Sequence, residues 1–202
     1  MERHGKLVVF EGPDGVGKST LVESTRGFLT DRSVPFVSIS FPGKEPGTLG
    51  WLVDQIHHGQ RVDDIRELSA LSLQALHIAA HLDHIEARIR PALKDGAVVI
   101  LDRFWWSTLV YGRAGTVQSE VLELLVAAEK TAWGRSLPAV MFLVNRTAPF
   151  RPEQDKEGFE RLSGLYSALA AQERNKYPVV TIANDSIQES MGAIQARLEE
   201  LL

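Results

Sequence analysis

Residues 10–20 read Phe10-Glu11-Gly12-Pro13-Asp14-Gly15-Val16-Gly17-Lys18-Ser19-Thr20. Gly12 and Gly17 stand five positions apart and Lys18-Ser19 follow, which is the G-x-x-x-x-G-K-[ST] phosphate loop. Lys6-Leu7-Val8-Val9-Phe10 before it is a short apolar run with β-branched residues, read as a buried strand. Thr20-Leu21-Val22-Glu23 after it opens a helical pattern. The residue types suit polyphosphate. Glycines let backbone N–H groups approach an anion closely. A helix N-terminus adds unpaired N–H groups and a favourable dipole. Lys18 is expected to meet the β- and γ-phosphates, and the Ser19 hydroxyl to hold Mg²⁺. The competing reading is a chance glycine-rich turn.

Outward from this loop, the composition sets bounds. The chain has 202 residues, enough for one well-buried domain spanning 1–202. Net charge is −4, so no basic excess points to nucleic acid. There are no cysteines, which removes disulfides, thiolate metal sites and a cysteine nucleophile. Met1-Glu2-Arg3-His4-Gly5 carries no apolar signal segment, and no run reaches membrane-span length. A soluble cytoplasmic protein with no membrane partner is the expectation.

Strand-like and helical patterns alternate. Strands are expected at Leu7–Phe10, Phe36–Ser40, Ala97–Leu101, Val140–Val144 and Val179–Ile182. Helices are expected near Lys18–Leu29, Gly50–His58, Leu68–Leu93, Val117–Thr131, Gly158–Glu173 and Ile187–Leu202. Ser186 and Glu189 fit a capping box. This alternation predicts an α/β fold, a parallel sheet with helices on both faces and ligands at the carboxyl ends of its strands.

Two further constellations fall at such ends. Val98-Val99-Ile100-Leu101-Asp102-Arg103 is a buried strand ending in an acid and a base. Asp102 can lie beside the Mg²⁺ of a phosphate loop, and the Arg103 guanidinium suits a phosphate in the same crevice. A surface salt bridge is the alternative. Phe41-Pro42-Gly43-Lys44-Glu45-Pro46-Gly47-Thr48 is a stiff loop in which Lys44 either meets a second phosphate or is simply solvated.

These three stretches, together with Ser107-Thr108-x-x-Tyr111 after Asp102-Arg103-Phe104 and Pro91-Ala92-Leu93 before that strand, resemble the thymidylate kinases nearly end to end. The resemblance implies a P-loop fold with a five-stranded parallel sheet, usually in a homodimer. It implies ATP as donor and a nucleoside monophosphate as acceptor. Gly12, Asp14, Gly15, Gly17, Lys18, Ser19 and Thr20 would form the donor site, with Arg146 beside it. Ser19 and Asp102 would hold Mg²⁺. Asp14 would face the acceptor sugar, and Arg103 would clamp the acceptor phosphate. Lys44 stands where the family usually has arginine, with Phe41 in the same loop. Ser107 and Tyr111 would line the base and sugar pocket.

The departures from the family pattern matter as much. His77 and His81 align with a base-stacking aromatic and an arginine, and their four-residue spacing puts both on one helical face. Gly112 stands where the family has glutamine. Three such changes in one pocket suggest a pyrimidine acceptor different from, or looser than, dTMP. His77, His81 and His84 also admit a metal reading, which lacks a carboxylate from a second element, and a plain surface reading. The segment after the fourth strand, Val144 to Asp155, is about half the family's arginine-rich lid, with Arg146 and Arg151 its only arginines. One would cover adenine and one would neutralise the γ-phosphate; Arg151 is assigned the catalytic role. Trp105 and Trp106 read best as packing at a helix start or a dimer face. The expected activity is transfer of the ATP γ-phosphate to a pyrimidine deoxynucleoside 5′-monophosphate. The alternatives are a weakly active regulatory nucleotide-binding relative and a nucleoside kinase with Glu11 or Asp14 as base.

Overall fold

The computed structural model describes residues 4–57, 68–115, 117–149 and 155–202. Five strands form one all-parallel sheet: β1 (Lys6–Glu11), β2 (Phe36–Ser40), β3 (Val98–Asp102), β4 (Val140–Asn145) and β5 (Val179–Ala183), in the order β2-β3-β1-β4-β5. β1 is central, with Phe10 in register with Asp102 on one side and Phe142 on the other. The phosphate loop therefore leaves the sheet between two occupied strand ends, where the chain crosses from one half of the sheet to the other.

Both faces of the sheet are covered, as a parallel sheet requires. Leu7, Val9, Val99, Leu101, Met141 and Leu143 point to one side. They pack under α3 (Ala70–His84), α5 (Trp105–Ala114), α6 (Ser119–Trp133) and α7 (Lys156–Glu173). Val8, Phe10, Ile100 and Phe142 point to the other, under α1 (Lys18–Asp31) and α8 (Ile187–Glu199). The side chains alternate along each strand because successive Cβ atoms point to opposite faces. Among the described residues no helix is long and apolar enough to cross a membrane.

The expected strands lie where they were placed, within one residue at each end. The expected helix Leu68–Leu93 is instead interrupted. α3 is followed by a π-turn over Ile85–Ile89 and then by the short α4 (Arg90–Lys94). Pro91 sits in the first turn of α4. With no N–H it cannot continue a regular ladder, and the Arg90 N–H reaches back to Ile85 O in the wider π pattern. α2 (Leu49–His57) matches expectation up to His57, and His58 lies outside the described residues.

No expected helix range covers α5, although Trp105 and Trp106 do stand at a helix start. Trp105, Trp106, Ser107, Thr108, Leu109, Val110 and Gly112 are all buried, so the first six positions show no alternation of buried and exposed residues to reveal the period. Trp105 and Trp106 open it as packing residues. The Trp106 Nε1–H donates to the Tyr177 hydroxyl at 2.9 Å, and the Lys130 ammonium lies 4.1 Å over the Trp105 ring. At the start of α8 the Ser186 hydroxyl accepts from the Glu189 N–H at 3.4 Å, which is the forward half of the expected capping box.

Candidate active site

The loop between β1 and α1 has the shape its glycines allow. Gly12 has φ 140°, and a Cβ there would lie 2.1 Å from Val144 O on β4. Only glycine fits both demands. Gly15 and Gly17 also have positive φ, and Gly17 is the N-cap of α1. Asn184, just past β5, braces the loop by donating from Nδ2 to Val16 O at 2.8 Å. The Lys18 ammonium is buried and curls over the loop, donating to Gly12 O at 2.8 Å and Pro13 O at 2.6 Å. Burial, then the nearby Arg103 charge, push its pKa down to about 8. A group so placed gains by meeting an anion.

Ser19 and Asp102 converge from α1 and β3. The Ser19 hydroxyl donates to Asp102 Oδ2 at 3.1 Å, while Asp102 Oδ1 is buried with no hydrogen-bond partner. An orphaned carboxylate oxygen beside a hydroxyl fits Mg²⁺, which takes one or two protein oxygens and completes its shell with water and phosphate.

Arg103 follows Asp102 with φ 75°, a conformation uncommon for a non-glycine residue. Its guanidinium is tied on two sides. NH1 donates to Ser107 Oγ at 2.9 Å, and NH2 donates to Asp14 Oδ1. The Tyr111 hydroxyl donates to Asp14 Oδ2 at 2.8 Å and accepts from the Asp14 N–H at 3.0 Å. Burial works to raise the Asp14 pKa, but Arg103, Lys18 and the Tyr111 hydroxyl outweigh it and hold it low. Burial raises the Tyr111 pKa, with Asp14 adding to it against the pull of Arg103, so the phenol keeps its proton.

Ser107 is less available than expected. Its hydroxyl donates to Glu11 Oε2 at 2.7 Å, leaving it to accept from Arg103 and from the Tyr166 hydroxyl at 2.8 Å. One donor and two acceptor positions are then all engaged. Ser107 lines the cavity, but its hydroxyl is occupied inside the protein. Glu11, read from sequence only as a base for a nucleoside kinase, is fully buried at the centre of this network.

The wall formed by the β2–α2 loop and α3 differs most from expectation. His81 is buried and its Nδ1 lies 3.0 Å from Glu129 Oε2 on α6. Glu129 Oε1 accepts from Trp133 Nε1 at 3.2 Å. The Phe41 ring stacks on His81 with centroids 3.9 Å apart and an interplanar angle of 13°. His77 presents an edge to His81 at 6.1 Å and lines the cavity, as do Lys44, Asp54 and Gln74. His84 is buried with both ring nitrogens unpartnered, its Nε2 2.4 Å from where a Cβ on Gly43 would stand. No group of three or more His, Asp or Glu side chains able to hold a metal occurs among the described residues. The metal reading of these histidines is corrected accordingly.

Gly112 is a second correction. It is not in the pocket. It is buried against α6, where a Cβ would lie 2.5 Å from Leu122 Cδ2. The glycine allows two helices to approach, and says nothing about the acceptor.

Past β4 and β5, Arg146 Nε lies 3.9 Å from Asp185 Oδ1, and Asp185 also accepts from the Thr147 hydroxyl at 2.7 Å. Arg146, Asn184, Asp185 and Ile187 line the same cavity as Thr20. Arg151 lies outside the described residues, as does Phe150 and the rest of 150–154. One cavity of about 910 Å³ joins these walls. Sequence reasoning missed Glu11 as a structural centre, Asp54, Gln74, Asn184 and Asp185. The last four stand in no motif. Only Glu11, an acid closing an apolar strand, carried a visible signal.

A family model described as thymidylate kinase matches residues 10–194. A thymidylate kinase of Symbiobacterium thermophilum is 33% identical over 209 residues, covering 97% of this chain and 94% of the relative. One of Bifidobacterium longum subsp. infantis is 34% identical over 212 residues, covering 98% and 88%. A solved thymidylate kinase structure from Ehrlichia chaffeensis superposes with a TM-score of 0.74 at 22% identity, over 97% of this chain and 99% of that one. At that identity the likeness speaks to the fold.

Proposed function

The chain belongs to the thymidylate kinase family, and on that premise we propose that it transfers the γ-phosphoryl group of ATP to a thymidylate-like pyrimidine deoxynucleoside 5′-monophosphate. One observation carries this reading beyond family membership. A single cavity is lined both by the donor set Lys18, Ser19 and Asp102 and by the acceptor set Lys44, Arg103, His77 and Tyr111. Two cationic centres at one site suit two anionic substrates.

Phosphoryl transfer asks little covalent chemistry of the protein and much positioning and charge compensation. In this proposal the loop amides and Lys18 hold the donor polyphosphate. Mg²⁺, held by Ser19 and Asp102, supplies charge compensation at the donor phosphate oxygens when bound. Arg103 and Lys44 grip the acceptor phosphate, whose oxygen attacks the γ-phosphorus as the bond to the β-phosphate oxygen breaks. Asp14 orients Arg103 and meets the acceptor sugar. Thr20 and Arg146 border the adenine, and Arg151 neutralises the γ-phosphate in place of a longer lid. His77 is the residue offered to the acceptor base. His81, committed to Glu129 and Phe41, contributes by shaping that wall.

A cytoplasmic location, a single kinase domain and a homodimer complete the proposal and rest on the family. Light scattering on the purified chain tests the dimer. The activity is tested by incubating the protein with Mg-ATP and each nucleoside and nucleoside monophosphate in turn and measuring ADP. The expected result is turnover with dTMP or a close pyrimidine analogue. Turnover with free nucleosides alone, or ATP binding without turnover, would contradict it.

A further inference from the structure

Helix α5 begins without a cap of its own. Its N-cap residue is Phe104, whose side chain accepts no hydrogen bond. The service comes from another element. Glu11 Oε1, at the end of β1, accepts from the Phe104 N–H at 2.8 Å and the Ser107 N–H at 2.9 Å. These are the two donors that a capping box satisfies with two side chains, at the N-cap and N3 positions. Glu11 Oε2 accepts from Ser107 Oγ at 2.7 Å and from the Gly12 N–H of the phosphate loop at 3.3 Å.

All four partners donate to the carboxylate in these contacts. Three of them are backbone N–H groups, which can only donate, so this cradle suits the carboxylate, although burial pushes its pKa up. A negative charge at the first turn of α5 is also favoured by the helix dipole.

Arg103 sits inside this arrangement. Its N–H donates to Phe10 O at 2.9 Å. The next N–H is held by Glu11, and its own NH1 donates to the Ser107 hydroxyl that Glu11 receives. The last two residues of β1 thus hold Arg103 by backbone and by side chain, in a left-handed conformation it would not adopt unaided. The same carboxylate touches the phosphate loop.

We propose that Glu11 is a positioning residue for phosphoryl transfer: it fixes the Arg103 guanidinium relative to the phosphate loop through Ser107 and the first turn of α5. It touches neither substrate and acts through Arg103. The kinetic part of this inference rests on the kinase reading above.

The test is a double-mutant cycle. Glu11→Gln and Ser107→Ala are made alone and with Arg103→Lys, and kcat and KM are measured with Mg-ATP and dTMP. Glu11→Gln is expected to lower kcat by about tenfold or more with KM for ATP changed less than about twofold. In the Arg103→Lys background the same change is expected to cost less than about threefold, because the path it acts through is already broken. Ser107→Ala is expected to follow the same pattern, and carries the test if Glu11→Gln fails to fold. An equal loss in both backgrounds, which a merely structural cap would give, overturns the proposal, as does an unchanged kcat. The ¹⁵N–¹H signal of Arg103 Nε supplies a readout without turnover. It should be resolved and protected in the unaltered protein and lost in Glu11→Gln or Ser107→Ala. If the unaltered protein phosphorylates no monophosphate, the kinase reading fails, and this signal alone decides on Glu11: its persistence in the variants overturns the proposal.

Discussion

The Ser19 hydroxyl and the Asp102 carboxylate meet at 3.1 Å, and the second oxygen of that carboxylate is buried with nothing to bind. Leaving a buried carboxylate oxygen unpaired costs free energy, so the arrangement favours a cation there. Asp102→Asn should therefore lower kcat by about a hundredfold and raise the Mg²⁺ concentration needed for half-maximal rate. Initial rates over a Mg²⁺ titration check this. An unchanged Mg²⁺ dependence would move the metal away from Asp102.

Lys18 gives a pH prediction. Its pKa in the folded chain falls to about 8, from 10.5, because of burial and then Arg103. As pH rises through about 8 the ligand-free enzyme loses the ammonium that meets ATP. A pH profile of kcat/KM for ATP should accordingly fall above about 8, since this parameter reports groups of the free enzyme. The stability effect has the opposite sign. Between about 8 and 10.5 the unfolded chain binds more protons at this group than the folded one, so this group's contribution to stability grows with pH in that window. Lys18→Met should remove both effects and abolish turnover.

Glu129 is the acceptor for two buried donors, His81 Nδ1 and Trp133 Nε1. Removing it leaves both unmatched in the core. Glu129→Ala should cost about 2–5 kcal/mol. Chemical denaturation with unchanged m-value would measure the loss; a change within about 0.5 kcal/mol would show that the pair contributes little.

His77 and His81 both line the cavity, but His81 is buried, stacked on Phe41 and paired with Glu129. His77→Phe should raise kcat/KM for dTMP by roughly threefold or more, because a larger apolar ring stacks on the base more extensively. Steady-state kinetics decide. No change would take the acceptor base away from His77.

Gly112 is the contact point of α5 and α6. Gly112→Ala places a Cβ 2.5 Å from Leu122 Cδ2, too close for any real contact. The overpacking should cost about 1–3 kcal/mol. A thermal melt gives the shift, and an unchanged Tm would mean that Leu122 yields freely.

Much of this was legible in the sequence for a physical reason. The phosphate loop, the buried strand ending in Asp102-Arg103 and the strand–helix alternation are local patterns, carried by residues next to one another. The strands were found because each is a continuous apolar run between breakers. What escaped depends on partners far along the chain. Glu11 meets Phe104 across 93 positions, and His81 meets Glu129 across 48. No spacing rule reaches that far. α5 escaped because its first six residues, Trp105 to Val110, are all buried. Gly112 was misread as a pocket residue because its place in the motif says nothing about which face of α5 it occupies.

The most direct test of the central claim is a crystal structure of the chain with Mg²⁺, a non-hydrolysable ATP analogue and dTMP. The account predicts the β-phosphate inside the Gly12–Thr20 loop. Lys18 Nζ should have left the carbonyls of Gly12 and Pro13 for phosphate oxygens, with the dTMP phosphate on Arg103. Polyphosphate bound elsewhere, with Lys18 still on those carbonyls, would contradict it.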